Sequence, residues 1–449
     1  MSAPAGGALR RELGVFSAAM LVVGGIIGSG IFFTPSVTAR ALPSASLVLL
    51  VWALGGVVAL AGALTYAELG AMMPDAGGPY VYLREAFGKR VAFLYGWMIL
   101  ASIATGAIAA VAVGFAGYVE RFVPAAVYAA LGGSLGIATI AIVMLAIVNY
   151  LGVKPGAITQ NVMTAAKTLA LAALIVGGLV LWGRTHAPPV AVTGGVVPQA
   201  PPLLIGLGAA FVPVLFTIGG WQQMNMVAGE VRDPERTIPR ALMIGIAIVI
   251  AIYLGANLVY LHALGRDGLA ISKAAAADTA SVVFGAWGAT FIAIAAMISI
   301  FGFIGVAILS NSRIVFAMAT DGIFLRAAGR VHPRFGSPHV AVLLIGLWSL
   351  VLLFLSNGDL GTLLSAVVFA DWIFFGLGAA SVFVLRRTRP DAPRPYRVPG
   401  YPWLPAFFVA AAVVGIASSF VASARISLIG VGLLLAGELA FRVATRRTA

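Results

Sequence analysis

The chain has 449 residues, 61% of them hydrophobic and only 10% charged, with a mean hydropathy of +1.04; so few charges exclude a soluble domain and make it an integral membrane protein. Its long Leu-, Ala- and Val-rich runs suit membrane helices and exclude a barrel, whose strands need only about ten alternating residues. With no cysteine it has no disulfide, no thiolate metal site and no covalent bridge to a partner subunit.

Met1 to Gly7 lacks a basic segment and a cleavage site, so the first apolar run is read as a retained span rather than a signal peptide. Twelve runs of spanning length follow, at residues 13–37, 45–72, 90–118, 125–149, 158–182, 203–229, 240–264, 283–319, 339–355, 361–385, 403–422 and 426–443. They divide the chain into a tail (1–12), five spans (13–182), a Pro-rich apolar loop (183–202), five more spans (203–385), an Arg- and Pro-rich loop (386–402) and a terminal pair with its tail (403–449).

Counted over alternate loops, one side of the membrane collects most of the 28 basic residues, among them Arg10, Arg11, Arg84, Lys89, Arg90, Lys154, Arg313 and the arginines of 232–240, 326–334, 386–397 and 442–447. The other side holds Arg40, Arg121, Arg184, Arg266, Lys273 and Arg425. This asymmetry places both termini in the cytoplasm. It also accounts for the net charge of +13 without nucleic acid, which would require a soluble basic domain. Glu68 and Glu230 end spans two and six beside these loops and are expected to pair with arginines there. "EVRDPERTIPRA" reads as a charged turn followed by a Pro-capped helix start. The histidines, at 186, 262, 332 and 339, fall in or near different loops, so no metal cluster is suggested, and no cofactor is implied.

Span one reads "VVGGIIGSGIFFTP", with Gly24, Gly25, Gly28, Ser29 and Gly30 where a lipid-facing helix would carry leucine. Each glycine costs roughly 1 kcal/mol against alanine in a helix, so the cluster lowers the cost of unwinding a turn. Close packing through the Gly24–Gly28 pair is the simpler account of one such span. A second interrupted span shifts the balance: span six reads "FVPVLFTIGGWQQMNMVAGE", with Pro213, Gly219 and Gly220 in mid-membrane. Breaks in the first and sixth spans match two inverted five-helix repeats whose discontinuous helices meet at a midplane site. A helix amino terminus there offers bare N–H donors to a carboxylate, and a carboxy terminus offers bare carbonyls to an ammonium. Together they fit a zwitterionic amino acid.

The stretches "GGIIGSGIF", "YAELGAMMPDAGGPYVYLREAFG", "FTIGGWQQMNMVAGEVRDPERTIPRA", "LSNSRIVFAMATDGIF" and "HPRFGSPHVAVLL" together resemble the L-type amino acid transporter branch of the amino acid, polyamine and organocation superfamily, over about residues 13 to 400. The resemblance implies a LeuT-like all-α fold of twelve spans, with five plus five in inverted repeat, and alternating access that moves amino acids without sodium. It implies that Ile27, Gly28, Ser29 and Gly30 hold the substrate carboxylate. Phe216 becomes an aromatic gate, and Thr217, Ile218 and Gly219 supply carbonyls for the α-amino group. Gln222 stands where mammalian members usually have asparagine, which leaves the side-chain preference open. Those members also join a glycoprotein through an external cysteine; this chain, lacking one, is expected to work without it.

Lys167, in "TQNVMTAAKTLALAAL", lies too deep in span five to snorkel. The resemblance points it at the broken part of span one and at span eight, in the space a sodium ion fills in sodium-coupled relatives. An ammonium there is expected to donate to carbonyls around Gly25 and to hydroxyls such as Ser310 or Ser312. Two roles stand open: a fixed structural charge, or a proton-coupling group, since burial favours the neutral form of lysine. Asp371, in "SAVVFADWIFFGLG", is the other charge at apparent membrane depth. It either partners a substrate ammonium or polar side chain, carries a proton, or sits hydrated in a vestibule; Trp372 beside it is read as packing.

No nucleophile, acid/base or metal constellation points to an enzyme, no repeated filter loop to a channel, and no soluble output domain to a sensor. The readings that remain are a neutral amino acid exchanger or uniporter, a proton-coupled amino acid symporter, and a cationic amino acid or polyamine antiporter. The partners implied are the amino acid, membrane lipid and, in the second case, protons.

Overall fold

In the computed structural model, residues 9–183, 199–358, 360–422 and 424–446 are described, with side chains described outside 360–369, 421–426 and 444–446. Most of the apolar 183–202 loop, with Arg184 and His186, and the side chains of Arg425, Arg446 and Arg447 lie outside the described residues. All the named secondary structure is helical. The only β-type pairing among the described residues is a single parallel bridge between Leu13 and Val231.

The first span is two helices, α1 (Val15–Ile26) and α2 (Gly30–Ala41), set at 41° to each other. Helix α3 (Ala45–Met72) forms span two, and the short α4 (Pro79–Phe87) leads into span three. That span runs as α5 (Lys89–Met98), a π turn at Ile99–Ile103, and α6 (Ala104–Val119). A short α7 (Ala125–Ala130) precedes α8 (Gly133–Tyr150), and α9 (Val153–Val180) completes the first five spans.

Span six divides into α10 (Leu203–Ile218) and a single turn, α11 (Gln223–Met226). Helix α12 (Pro234–Ile271) starts with Pro234 in its first turn and bends at Gly265, φ 68°. Span seven is therefore longer than the apolar run 240–264, because polar turns at each end continue the helix. The run 283–319 contains the end of a separate helix, α13 (Ala275–Phe284), and then α14 (Gly288–Thr320). Helices α15 (His339–Leu355), α16 (Leu360–Thr388), α17 (Trp403–Ala422) and α18 (Ala424–Arg446) complete the chain.

Helix α12 packs along α1, α2 and α3, while α14 packs against α6 and α9, so the broken first span lies enclosed between them. Small residues make this closeness possible: a Cβ added at Gly245 of α12 would lie 2.5 Å from the Val22 side chain. At the end of the bundle where the chain starts, the backbone N–H groups of Glu12 and Leu13 donate to the Glu230 carbonyl, which ties the tail to the segment after α11.

Charged pairs fasten that end. The expected arginine partners of Glu230 and Glu68 are found. Arg313, fully buried on α14, donates Nε to Glu230 Oε1 at 2.7 Å and Nη2 to Oε2 at 3.1 Å. Arg386 donates to both oxygens of Glu68, and the Val398 N–H adds a third bond. Arg84 reaches Asp321 at 2.7 Å, where the Tyr80 hydroxyl also donates. Burial and that bond push the Tyr80 phenol above its ordinary range, so it acts as a neutral donor.

The Arg313–Glu230 pair generates a test. Breaking a buried pair from one side leaves an uncompensated charge and costs about 3–5 kcal/mol. R313M should lower the thermal unfolding midpoint in detergent and reduce the yield of monodisperse protein, and R313M/E230Q should recover part of the loss; a single variant as stable as the native protein would show the pair to be dispensable.

Candidate functional site

Between α1 and α2 the backbone leaves helical geometry at Ile27–Ser29, and four carbonyls there, of Gly24, Ile26, Ile27 and Gly28, accept from side chains of neighbouring helices. Lys167, central in α9 and wholly buried, donates its ammonium to the carbonyls of Gly24, at 2.9 Å, and Ile27. The Ser299 hydroxyl of α14 sits 3.0 Å from the carbonyls of both Ile27 and Gly28. The Tyr253 hydroxyl of α12 reaches the Ile26 carbonyl at 3.1 Å and, across the other break, the Thr217 carbonyl at 3.3 Å. One side chain thus touches both broken helices.

This arrangement corrects one expectation, the hydroxyl partner. The carbonyls bound by Lys167 flank Gly25, whose own backbone instead abuts Gly220: a Cβ on Gly220 would lie 2.1 Å from the Gly25 oxygen. The neighbouring hydroxyl is Ser299, not Ser310 or Ser312. Those two residues lie 11 and 13 positions further along α14, roughly 16–20 Å at helical rise. There Ser310 donates to Gln223 and Ser312 accepts from Arg313.

The amides of the first break are divided between two uses. Ile27 N–H bonds to the Val23 carbonyl and Gly28 N–H to Ile26, both at 2.8 Å. Ile27 and Gly28 are therefore occupied within the break, and the N–H groups that open α2 begin at Ser29, its N-cap, and Gly30. No side chain caps that terminus, and Ser29 and Gly30 line the cavity, where the uncapped amino end of a helix suits an anion.

In the second break Gly219 is extended and Gly220 takes φ 105°, a value that suits only glycine. Gln222 folds its side-chain oxygen back onto the Gly220 N–H at 3.0 Å, so it caps its own break as well as lining the cavity. The last turn of α10 carries Phe216, about a third exposed, and Thr217, whose hydroxyl bonds to Thr34 of α2. A Cβ on Gly30 would lie 2.5 Å from Thr217; the amino end of α2 and the carboxy end of α10 are side by side.

Between them lies a cavity of about 100 Å³. Of the residues singled out in the sequence, Gly25, Gly28, Ser29, Gly30, Phe216, Thr217, Gly219, Gln222 and Asp371 line it. The side chains of Ile27 and Ile218 are buried away from it in the apolar core. Trp372 both lines the cavity and packs edge-on to Phe375.

Three contributors carry no local mark in the sequence. Ser299 and Tyr253 are isolated polar residues in apolar helices, recognisable only once α12 and α14 are placed against α1. The π turn puts Ile99, Ile103 and Ala104 on the cavity wall, and Thr105 bonds five residues back to Leu100; an inserted residue of this kind often marks a functional site. Among the described residues no group of His, Asp and Glu could hold a metal ion.

The cavity thus lies where the amino end of α2 meets the carboxy end of α10, and the chain's likeness to known proteins gives this arrangement its family. Residues 13–436 match the family model of the amino acid permeases. The chain belongs to that family. Within it, the chain is 32% identical over 418 residues to the serine/threonine exchanger SteT of Bacillus subtilis, covering 92% of each. It is 34% identical over 400 residues to large neutral amino acids transporter small subunit 2 of Mus musculus, covering 88% of this chain and 73% of that one. With b(0,+)-type amino acid transporter 1 of Homo sapiens it shares 32% over 405 residues, covering 87% and 79%. The protein is thus a multi-pass amino acid transporter of the amino acid, polyamine and organocation superfamily, related to the L-type branch, and not an enzyme.

Two substitutions test the geometry. K167M leaves the Gly24 carbonyl without its donor and the Ile27 carbonyl with Ser299 alone, at about 1–3 kcal/mol for the unsatisfied group, and should cut amino acid uptake in proteoliposomes at least tenfold. G220A drives a methyl group into the Gly25 carbonyl and should also abolish uptake while leaving the protein folded by size-exclusion chromatography. Native uptake by either variant would contradict the arrangement.

Proposed function

We propose that this permease is a sodium-independent exchanger or facilitator of L-amino acids, neutral ones foremost, working by alternating access. The observation that carries this reading is the meeting of the α2 amino terminus and the α10 carboxy terminus at one cavity. The Ser29 and Gly30 amides take the α-carboxylate, and the carbonyls of Thr217 to Gly219 take the α-ammonium. Every amino acid has both groups, so the backbone recognises the class and the cavity wall selects within it. Sodium independence follows from Lys167: its ammonium holds the carbonyls of the first break, as a bound cation would, and can neither arrive nor leave.

Phe216 closes over the substrate, and the broken spans rock against the rest as two inverted repeats, residues 13–182 and 203–385. Both termini face the cytoplasm, following the positive-inside pattern, and the membrane is a bacterial inner membrane, as the likeness to a Bacillus exchanger supports. No disulfide-linked partner takes part. The exchange element draws on SteT, a relative described as an exchanger, and the neutral preference on a relative described as a transporter of large neutral amino acids.

Uptake of labelled alanine, serine and leucine into proteoliposomes tests this. The expected result is uptake that rises when unlabelled amino acid is trapped inside, persists when choline replaces sodium, and ignores an imposed pH gradient. Dependence on sodium would overturn the reading; uptake driven only by inward protons would replace it with symport and make Lys167 or Asp371 the coupling group.

A further inference from the structure

The cavity carries one charged group that an amino acid's α-carboxylate and α-ammonium do not use. Asp371 of α16 lines it beside Trp372 and Phe375. Among the described residues its carboxylate has neither an ion pair nor a hydrogen-bond partner. The buried cations of the core are committed elsewhere, Lys167 to the carbonyls of the first break and Arg313 to Glu230. Its electrostatic neighbours, Tyr66 and Tyr95, are phenols, and the Tyr66 hydroxyl is directed at the Phe375 carbonyl. Of the amide side chains that also line the cavity, Gln222 accepts from the Gly220 N–H, Gln223 accepts from Ser310, and Asn311 donates to the Ala307 carbonyl.

An ionised carboxylate in a cavity of low polarity needs a counter-charge, and intramembrane acids as a rule have one. Here the described residues supply none. The wall around it is aromatic: Trp372 lies 5.6 Å from Phe375, ring to ring, and Trp221 6.1 Å from the same ring. Ring faces attract a cation and offer nothing to an anion. A carboxylate that shares a cavity wall with aromatic rings suits an ammonium or a guanidinium.

We propose that Asp371, with Trp372 and Phe375, forms a side-chain subsite for a cationic nitrogen, so that the cavity takes amino acids ending in an amine or guanidinium in addition to neutral ones. The proposal rests on the amino acid transport reading above. Backbone at the two breaks holds the α-groups and Asp371 supplies the counter-charge for the far end of the side chain. A neutral substrate leaves that carboxylate to be met by a proton or water.

Arginine and citrulline have nearly the same shape and differ in charge at the tip, so they isolate this effect. The measurement is their competition against labelled alanine uptake into proteoliposomes of the native protein, D371N and D371E. Arginine should compete at least tenfold better than citrulline in the native protein, D371E should keep that order, and D371N should bring the ratio close to one. Alanine uptake with no discrimination between arginine and citrulline in the native protein would overturn the subsite while leaving amino acid transport intact, and so would an undiminished ratio in D371N. If D371N fails to fold, the native ratio and D371E decide. Absence of uptake of any amino acid would overturn the transport reading and this subsite together.

Discussion

A helix that opens inside the hydrocarbon layer releases backbone carbonyls with no water to meet them, and each must find a donor from the protein. In this permease the Lys167 ammonium is the one charged donor among the side chains that hold the first break, and the architecture of the site follows from it. Two of its donors hold Gly24 and Ile27, on either side of the point where α1 ends. Ser299 and Tyr253 complete the set, so the carbonyls of Gly24, Ile26, Ile27 and Gly28 are held from α9, α12 and α14 together. Only a break fixed on three sides can present the α2 amides in a constant direction, which is the condition for recognition by backbone.

The second break is held by different means. Gly220 adopts a conformation that side-chain-bearing residues avoid, and Gln222 caps the amide this exposes. Tyr253 links the two breaks through a single hydroxyl, so a movement of α10 relative to α1 must be felt at the substrate site. Towards the end where the chain starts, ion pairs of Glu68, Glu230 and Asp321 fasten the loops around this core. These surround the site without entering it: among the described residues, Asp371 is the one charged side chain that lines the cavity.

Much of this was legible in the sequence, for physical reasons. Glycine clusters at matching places in two apolar runs announce broken helices, because close packing explains one such cluster but not its recurrence at the matching span. Lys167 and Asp371 stand out because an uncompensated charge at that depth is expensive. Glu68 and Glu230 beside basic loops imply the pairs that form. What was not legible is the partner of a given carbonyl. Ser299, Ser310 and Ser312 share one helix and one chemistry, and only the axial offset of α14 against α1 brings Ser299 to the break and sends the others three turns away. Tyr253 is hidden for the same reason, since its two acceptors lie 227 and 36 residues distant in the chain. The division of amides at the first break, where Ile27 and Gly28 are consumed internally and Ser29 and Gly30 are presented, depends on local torsions that no residue pattern encodes.

The measurement that bears most directly on the account is a structure of the protein with alanine bound. The account places the substrate carboxylate about 3 Å from the Ser29 and Gly30 amides and its ammonium against the carbonyls at the end of α10, with Lys167 still bonded to Gly24 and Ile27. A carboxylate paired with the Lys167 ammonium, its carbonyls released, would contradict it.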